Sequence, residues 1–179
     1  MKISKYWLMV LASFVGLTSA FWQLMEKLQL LKNPQHALSC NFNSTFNCSN
    51  VLNAHQSSAL GPPNSVIGII MFTFFLGIGL VLATGSQISR RLALLAQGLA
   101  VFMLGFTLWF LFESTYRIHS VCIFCLFIGT SVLVINGVLK RHNWQDNPKY
   151  KKYFKSGLDI FFWAILWLIV AFAMLLKFR

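Results

Sequence analysis

The segment VCIFCLFIGTSVLVINGVL, residues 121–139, determines the kind of fold that this chain can adopt. It contains no Asp, Glu, Lys or Arg, and as a helix rising 1.5 Å per residue it approaches the about 30 Å of a bilayer's hydrocarbon core. Backbone groups have no water partner in lipid, so such a segment is expected to be helical rather than extended. Cys122 and Cys125 stand at its start. The segment therefore predicts a membrane helix with a close cysteine pair at one end.

Four further segments have the same apolar character and are separated by polar or basic stretches. They run over about residues 6–24, 65–84, 92–112 and 158–176. Together the five segments predict an all-α membrane protein, a four-transmembrane-helix bundle with a fifth transmembrane helix, in one integral membrane domain over residues 1–179. Composition agrees, because only 11% of the residues are charged, whereas soluble domains have about 25%.

The strong positive charge of the chain indicates membrane orientation rather than nucleic-acid binding. The net charge is +11, but the basic residues sit at the ends of apolar runs instead of forming one stripe. With the N-terminus in the cytoplasm, ten of the 15 Lys and Arg residues are cytoplasmic and five are outside. Cytoplasmic loops are enriched in Lys and Arg, so this orientation is favoured. It places the long loop 31–64 and both residues of the 122/125 pair outside.

The outer loop 31–64 carries the second cysteine pair, Cys40 and Cys48. The loop is too long for a simple turn, and we expect it to cap the bundle and to contain a short helix begun by Ser49 or Asn50. Its cysteines lie in a polar stretch, which predicts a wet and mobile pair that can meet a soluble partner. An oxidising compartment on this side would permit disulfides.

The pair Cys122 and Cys125 has a different environment. We expect Ser120 to cap the helix there, and the positive end of a helix lowers the pKa of a thiol. His119 and Arg117 are expected to add to this effect. The flanking residues are apolar, so an electron carrier dissolved in the membrane could reach the pair. A mobile outer pair and a fixed membrane pair together predict a two-step relay of thiols and disulfides.

Two other interpretations of the four cysteines stay open at this point. Both pairs could be structural in a non-enzymatic membrane scaffold, since extracellular loops often hold inert disulfides. Four thiolates could also hold zinc, but zinc sites usually space paired ligands by two to four residues. The outer pair has seven intervening residues, so no metal site is predicted.

Two acidic residues lie near the ends of the apolar segments. Glu113, at the end of the third segment, is interpreted as a residue of the membrane interface. Asp159 begins the fifth segment close to Lys155, and the pair predicts a snorkelling ion pair rather than a proton carrier.

Residues 10–140 resemble the vitamin K epoxide reductase family in several motifs that occur in the family's order. The motifs are Gly16-Leu17-Thr18-Ser19, Cys40 and Cys48 with their spacing, Asn64-Ser65-Val66-Ile67-Gly68, and Cys122-Ile123-Phe124-Cys125. A CxxC alone is weak evidence, but these features in one order and topology are specific.

The resemblance implies a thiol:quinone oxidoreductase built as a helix bundle around a quinone pocket. It implies that Cys125 faces the quinone, of ubiquinone or menaquinone type, and that Cys122 exchanges with Cys48. Cys40 would meet an external thiol protein. Asn64 would hydrogen-bond a quinone carbonyl, although a helix cap is the simpler interpretation of an Asn at that position.

The sequence departs from the family at two positions. Ala54 stands where the family usually has a serine, and Gly129 stands where animal members have a tyrosine, which argues against epoxide reduction. Many bacterial members carry a thioredoxin-like domain after the fifth helix, whereas this sequence ends at Arg179. We therefore expect a separate periplasmic thioredoxin-fold thiol oxidase as partner, and a bacterial inner membrane location with the cysteines facing the periplasm. A quinone or epoxide reductase running in the opposite sense is the alternative.

Overall fold

The computed structural model describes residues 2–35 and 38–178, and this part of the chain is mainly helical. Its α-helices are α1 (Lys2–Lys32), α2 (Cys48–Asn53), α3 (Asn64–Ala83), α4 (Arg90–Glu113), α5 (Ile123–Trp144), α6 (Pro148–Lys155) and α7 (Leu158–Lys177). A 3-10 turn, His55–Ser58, follows α2, and a π-helical turn, Ser114–Ile118, follows α4. The all-α architecture predicted from the sequence is confirmed.

Four helical stretches of the described chain are long and apolar enough to cross a membrane. They are Lys5–Lys32, Asn64–Ala83, Arg90–Ile118 and Ile123–Trp144. The predicted fifth segment is also helical, and Phe161–Lys177 within it forms a shorter apolar stretch. The protein is thus an integral membrane protein by length and composition of its helices.

Helix α1 is longer than the predicted segment 6–24. Its extension to Lys32 contains Glu26 and Lys27, which hydropathy alone counts against a membrane helix. Both are held by the outer loop, since Glu26 accepts a hydrogen bond from Ser39 and Lys27 donates to the carbonyl of Leu52. These contacts let polar residues continue the helix, so hydropathy predicted its end too early.

Close helix packing explains where the small residues lie. Gly16 of α1 faces Phe72 of α3, and a Cβ on Gly16 would lie 2.3 Å from the Phe72 ring. In lipid, where helices gain little from the hydrophobic effect, such close approach and interhelical hydrogen bonds hold a bundle together. Asn136 of α5 makes such interhelical hydrogen bonds with α4. Its Nδ2 donates to the carbonyl of Ala100 at 2.8 Å, and its Oδ1 accepts from Gln97 at 3.2 Å.

Helix α7 packs against α5. Asp159 at its start pairs with Arg141, whose Nη2 lies 2.7 Å from Oδ1 of Asp159. The side chain of Lys155, the partner predicted from the sequence, lies outside the described residues, and the partner that the structure shows for Asp159 is this guanidinium of α5. At the other end, the hydroxyl of Tyr116 donates to the carbonyl of Ala173 at 3.1 Å.

The outer loop folds back as a cap over the bundle, as predicted, but its helix begins differently. Asn47, not Ser49 or Asn50, is the N-cap of α2, and its side chain accepts from the amide of Asn50. Asn50 in turn donates to the hydroxyl of Ser120 at 2.9 Å. Ser120 therefore anchors the cap and does not cap α5, whose N-cap position is Cys122.

Candidate functional site

The structure brings all four cysteines together beneath the outer cap. Cys40 and Cys48 form a disulfide, while Cys122 and Cys125 are free thiols. The Sγ atoms of Cys48 and Cys122 lie 3.2 Å apart. The two pairs predicted from the sequence thus form one continuous group of sulfur atoms.

The outer pair is not wet, contrary to the prediction from its polar flanks. Cys40 is 2% exposed and Cys48 is fully buried. Asn41 and Ser49, which follow the two cysteines, bind each other, since Nδ2 of Asn41 donates to the Ser49 hydroxyl at 2.7 Å. The polar side chains of the loop satisfy one another at its surface and leave the disulfide inside.

Two helix beginnings position the sulfurs that face each other. Cys48 is the first residue of α2, and Cys122 stands just before α5, whose predicted start at residue 121 is therefore too early. Cys125 lies in the first turn of α5, and its amide donates to the Cys122 carbonyl at 3.0 Å. The cap helix and the membrane helix thereby present Cys48 and Cys122 to each other.

Hydrogen bonds to its sulfur lower the pKa of the Cys122 thiol. The largest contribution comes from a hydrogen bond with the side chain of Cys125. Burial raises the pKa and opposes this effect, while the backbone amides of Cys125 and Phe124 and the side chain of Gln23 lower the pKa further. The expected help from basic neighbours is absent from these causes. Arg117 instead pairs with Glu113, which is buried within the protein.

A partly open cavity lies below the cap and reaches Cys125. Helices α1, α3, α4 and α5 form its walls. The lining is mostly apolar, with Phe102, Phe106 and Phe110 from α4 and a few polar side chains that include Ser57 and Thr107. Aromatic walls with few polar groups are typical of pockets for flat apolar ligands. The cavity therefore suits a quinone ring next to the sulfur of Cys125.

Asn64 lies at the wall of this cavity and does not cap a helix. It is the first residue of α3, whose N-cap is Pro63, and its Nδ2 donates to the carbonyl of Gln56 at 2.8 Å. Its Oδ1 is buried and has no partner among the described residues. A buried acceptor without a partner costs about 1–3 kcal/mol. A ligand hydroxyl, such as that of a quinol, would satisfy this oxygen.

Other side chains lie near the two positions at which the sequence departs from the family. Ser57, three residues after Ala54, lines the cavity and donates to the carbonyl of Leu52 at 2.7 Å. Gly129 is covered by Trp167 of α7, and a Cβ on Gly129 would lie 2.8 Å from the Trp167 ring. The sequence could not reveal the second case, because the two residues lie on different helices.

Gln23 of α1 is a site residue that was not predicted from the sequence. Its side chain is 6% exposed, lines the cavity and hydrogen-bonds both thiols of the CxxC. A signal was present, because a lone amide inside an apolar membrane helix usually faces the bundle interior or a cavity.

A membrane helix bundle that places a disulfide beside a dithiol at the wall of an apolar cavity defines a class of protein, the membrane oxidoreductases that work through cysteines. The chain matches the vitamin K epoxide reductase family over residues 7–139 and belongs to that family. This range includes all four cysteines. Members of the family are oxidoreductases that work with quinones. No curated protein matches the chain at a significant level.

Proposed function

We propose that the protein is a thiol:quinone oxidoreductase of a bacterial inner membrane, with its cysteines facing the periplasm. It oxidises a separate thioredoxin-fold dithiol protein and passes the electrons to a ubiquinone or menaquinone, which supports disulfide formation in secreted proteins. The observation that carries the proposal is the unbroken series of sulfurs from Cys40 through Cys48 and Cys122 to Cys125 at the cavity wall.

The first exchange takes place at the outer pair. A thiolate of the partner attacks Sγ of Cys40, and the Cys40–Cys48 bond breaks so that Cys48 leaves as a thiolate. The partner's second thiolate then attacks the partner's first sulfur in the mixed disulfide, and Cys40 leaves as a thiolate. The partner ends as a disulfide, and the outer pair holds the two electrons as a dithiol.

The second exchange takes place across the 3.2 Å contact. The Cys48 thiolate attacks Sγ of Cys122 in the oxidised inner pair, and Cys125 leaves as a thiolate. Cys40 then attacks Cys48, and Cys122 leaves. The low pKa of Cys122 suits it to this last step, because a thiol of lower pKa is a better leaving group. The result is an outer disulfide and an inner dithiol, which is the arrangement in the structure.

The final transfer takes place at the cavity. The inner dithiol closes to the Cys122–Cys125 disulfide and gives up two electrons and two protons, which a quinone held in the cavity would take up to form a quinol. The chain contributes the thiol of Cys125 at the cavity wall and a lining of phenylalanine side chains. Asn64 offers one amide hydrogen beyond its bond to Gln56 and the free acceptor Oδ1. These groups complement a carbonyl before the reaction and a hydroxyl after it.

The test is quinone reduction by the purified protein, followed by ultraviolet absorbance, with a reduced thioredoxin-fold dithiol protein as electron donor. Cys40→Ser should abolish transfer from the protein donor, and Cys125→Ser should abolish quinone reduction with any donor. Normal turnover by Cys125→Ser would overturn the relay. No turnover with several quinones and donors, from folded protein with reducible cysteines, would favour a scaffold with structural disulfides.

A trapping experiment tests the contact between the pairs directly. The variant Cys40→Ser/Cys125→Ser retains only Cys48 and Cys122, and mild oxidation should join them into a disulfide. The matched variant Cys40→Ser/Cys122→Ser retains Cys48 and Cys125 and should form a disulfide more slowly. Equal rates in both variants would contradict the assignment of Cys122 as the exchanging residue.

A further inference from the structure

The amide of Gln23 contacts the two inner sulfurs directly. Its Nε2 lies 3.2 Å from Sγ of Cys125 and 3.7 Å from Sγ of Cys122. Both distances are within hydrogen-bonding range for sulfur. The glutamine comes from α1, whereas the two cysteines belong to the start of α5, so the contact joins two helices at the cavity wall.

The packing of α1 fixes where this amide lies. One turn before Gln23, Ala20 is fully buried against α3, and a Cβ on Gly68 would lie 3.2 Å from that of Ala20. Lys27, one turn after Gln23, lines the same cavity, but its ammonium group donates to the carbonyl of Leu52. The neutral amide of Gln23, and not a cation, is therefore the side chain in contact with Cys125.

A donor at this place acts most strongly when charge develops on the sulfur. In the second exchange, the Cys122–Cys125 bond opens and Cys125 leaves with the electron pair. A hydrogen bond to a charged acceptor is about twice as strong as one to a neutral acceptor. A donor that is already in place costs no reorganisation when the charge appears.

We propose that Gln23 is a catalytic residue of this site, whose amide directs Sγ of Cys125 to the cavity and stabilises the charge on that sulfur as the inner disulfide opens. The role rests on the proposed function for its place in turnover. The chemical claim, that Gln23 favours the reduced inner pair, can be measured without any quinone.

The measurement is the reduction potential of the inner pair in a Cys40→Ser/Cys48→Ser background. The protein is equilibrated with dithiothreitol buffers of defined ratio, and its free thiols are counted by alkylation and mass spectrometry. Gln23→Leu removes the donor that favours the reduced form. The equilibrium constant for reduction should fall about three- to tenfold, which makes the potential about 15–30 mV more reducing for this two-electron couple.

Two further variants are measured in the same way, Gln23→Glu as a second test and Gln97→Leu as the matched control. Gln23→Glu keeps the size of the side chain but removes the donor when it ionises, so its shift should grow as pH rises. Gln97 is also a buried glutamine with a hydrogen-bonded Nε2, but it binds Asn136 on α5 and not a cysteine. Gln97→Leu should lower stability and leave the potential unchanged.

The outcomes separate this inference from the proposed function. Potentials that stay at the value of the Cys40→Ser/Cys48→Ser background in both Gln23 variants, or that shift equally in Gln97→Leu, would overturn the role of Gln23 whether or not quinone is reduced. A shift specific to the Gln23 variants would support it, even if the wild-type protein proved unable to reduce any quinone.

Discussion

Replacing Gly129 by Ala tests how helix α7 is held against the bundle. The new Cβ would lie 2.8 Å from Cη2 and 3.3 Å from Cζ3 of Trp167. Carbon atoms in contact are normally about 3.5–4.0 Å apart, so one side chain or helix must move. Gly129 is buried within α5, which leaves little room to do so.

The expected loss of stability in Gly129→Ala is obtained by comparison with a second helical glycine. Forcing a methyl group into a packed site costs about 1–3 kcal/mol, while exchanging Gly for Ala within a helix gains up to about 1 kcal/mol. Gly98 in α4 has no neighbouring atom within 4 Å of such a Cβ, so Gly98→Ala should show the gain alone. Gly129→Ala should therefore be less stable than Gly98→Ala by about 1–3 kcal/mol.

The assay is thermal unfolding of both variants in the same detergent, where 1 kcal/mol corresponds to about 2–4 °C for a chain of this size. Trp167→Phe removes the part of the ring that meets the new methyl group, so Gly129→Ala/Trp167→Phe should recover much of the loss relative to Trp167→Phe alone. Equal melting temperatures for Gly129→Ala and Gly98→Ala would refute the packing of α7 on Gly129.

Three further predictions concern charges and polar groups. Arg141→Leu leaves the Asp159 carboxylate buried without this partner and should lower the melting temperature more than Asp159→Asn does, since breaking a buried ion pair from one side costs about 3–5 kcal/mol. The double variant Arg141→Leu/Asp159→Asn should recover part of the lost stability, and no recovery would contradict the pairing. In Cys125→Ser, attack by Cys122 on the outer disulfide frees a loop thiol for maleimide labelling. This variant removes the largest cause of the lowered Cys122 pKa, the Cys125 side chain, but a backbone amide at residue 125, that of Phe124 and the side chain of Gln23 still favour the thiolate. The labelling rate should therefore fall as pH falls, with its midpoint at lower pH in Cys125→Ser than in Cys125→Ser/Gln23→Leu, and equal midpoints would contradict the contribution of Gln23. Asn64→Ala should weaken quinone and quinol binding and raise KM more than it lowers kcat in the quinone assay, whereas an unchanged KM would remove Asn64 from the binding site.

The helices could be predicted from the sequence because hydropathy is a local property. The uncharged run at residues 121–139 and its neighbours required helices in lipid, and the cysteine spacing with Asn64 pointed to the family. Glu26 shows the limit of such a prediction. It interrupts the apolar pattern of α1, and only the outer loop, distant in sequence, supplies the partner that lets the helix continue.

The details of the site depend on contacts between distant parts of the chain. The partner of Asp159, the burial of Cys40 and the reach of Gln23 to Cys125 each join different elements, and a pattern along one segment does not contain that information. Gln23 is the instructive case, because an isolated amide in an apolar helix marks an interior contact without saying what it touches.

The burial of the Cys40–Cys48 disulfide bears on leakage of electrons. The cap, which is held closed over the disulfide by the hydrogen bond between Asn41 and Ser49, shields both sulfurs from small thiols in solution. Such a thiol reaches them only when the cap opens, whereas a protein that binds the cap can hold it open while exchange proceeds. This shielding slows exchange, so the redox state of the inner pair does not equilibrate with the surrounding small thiols.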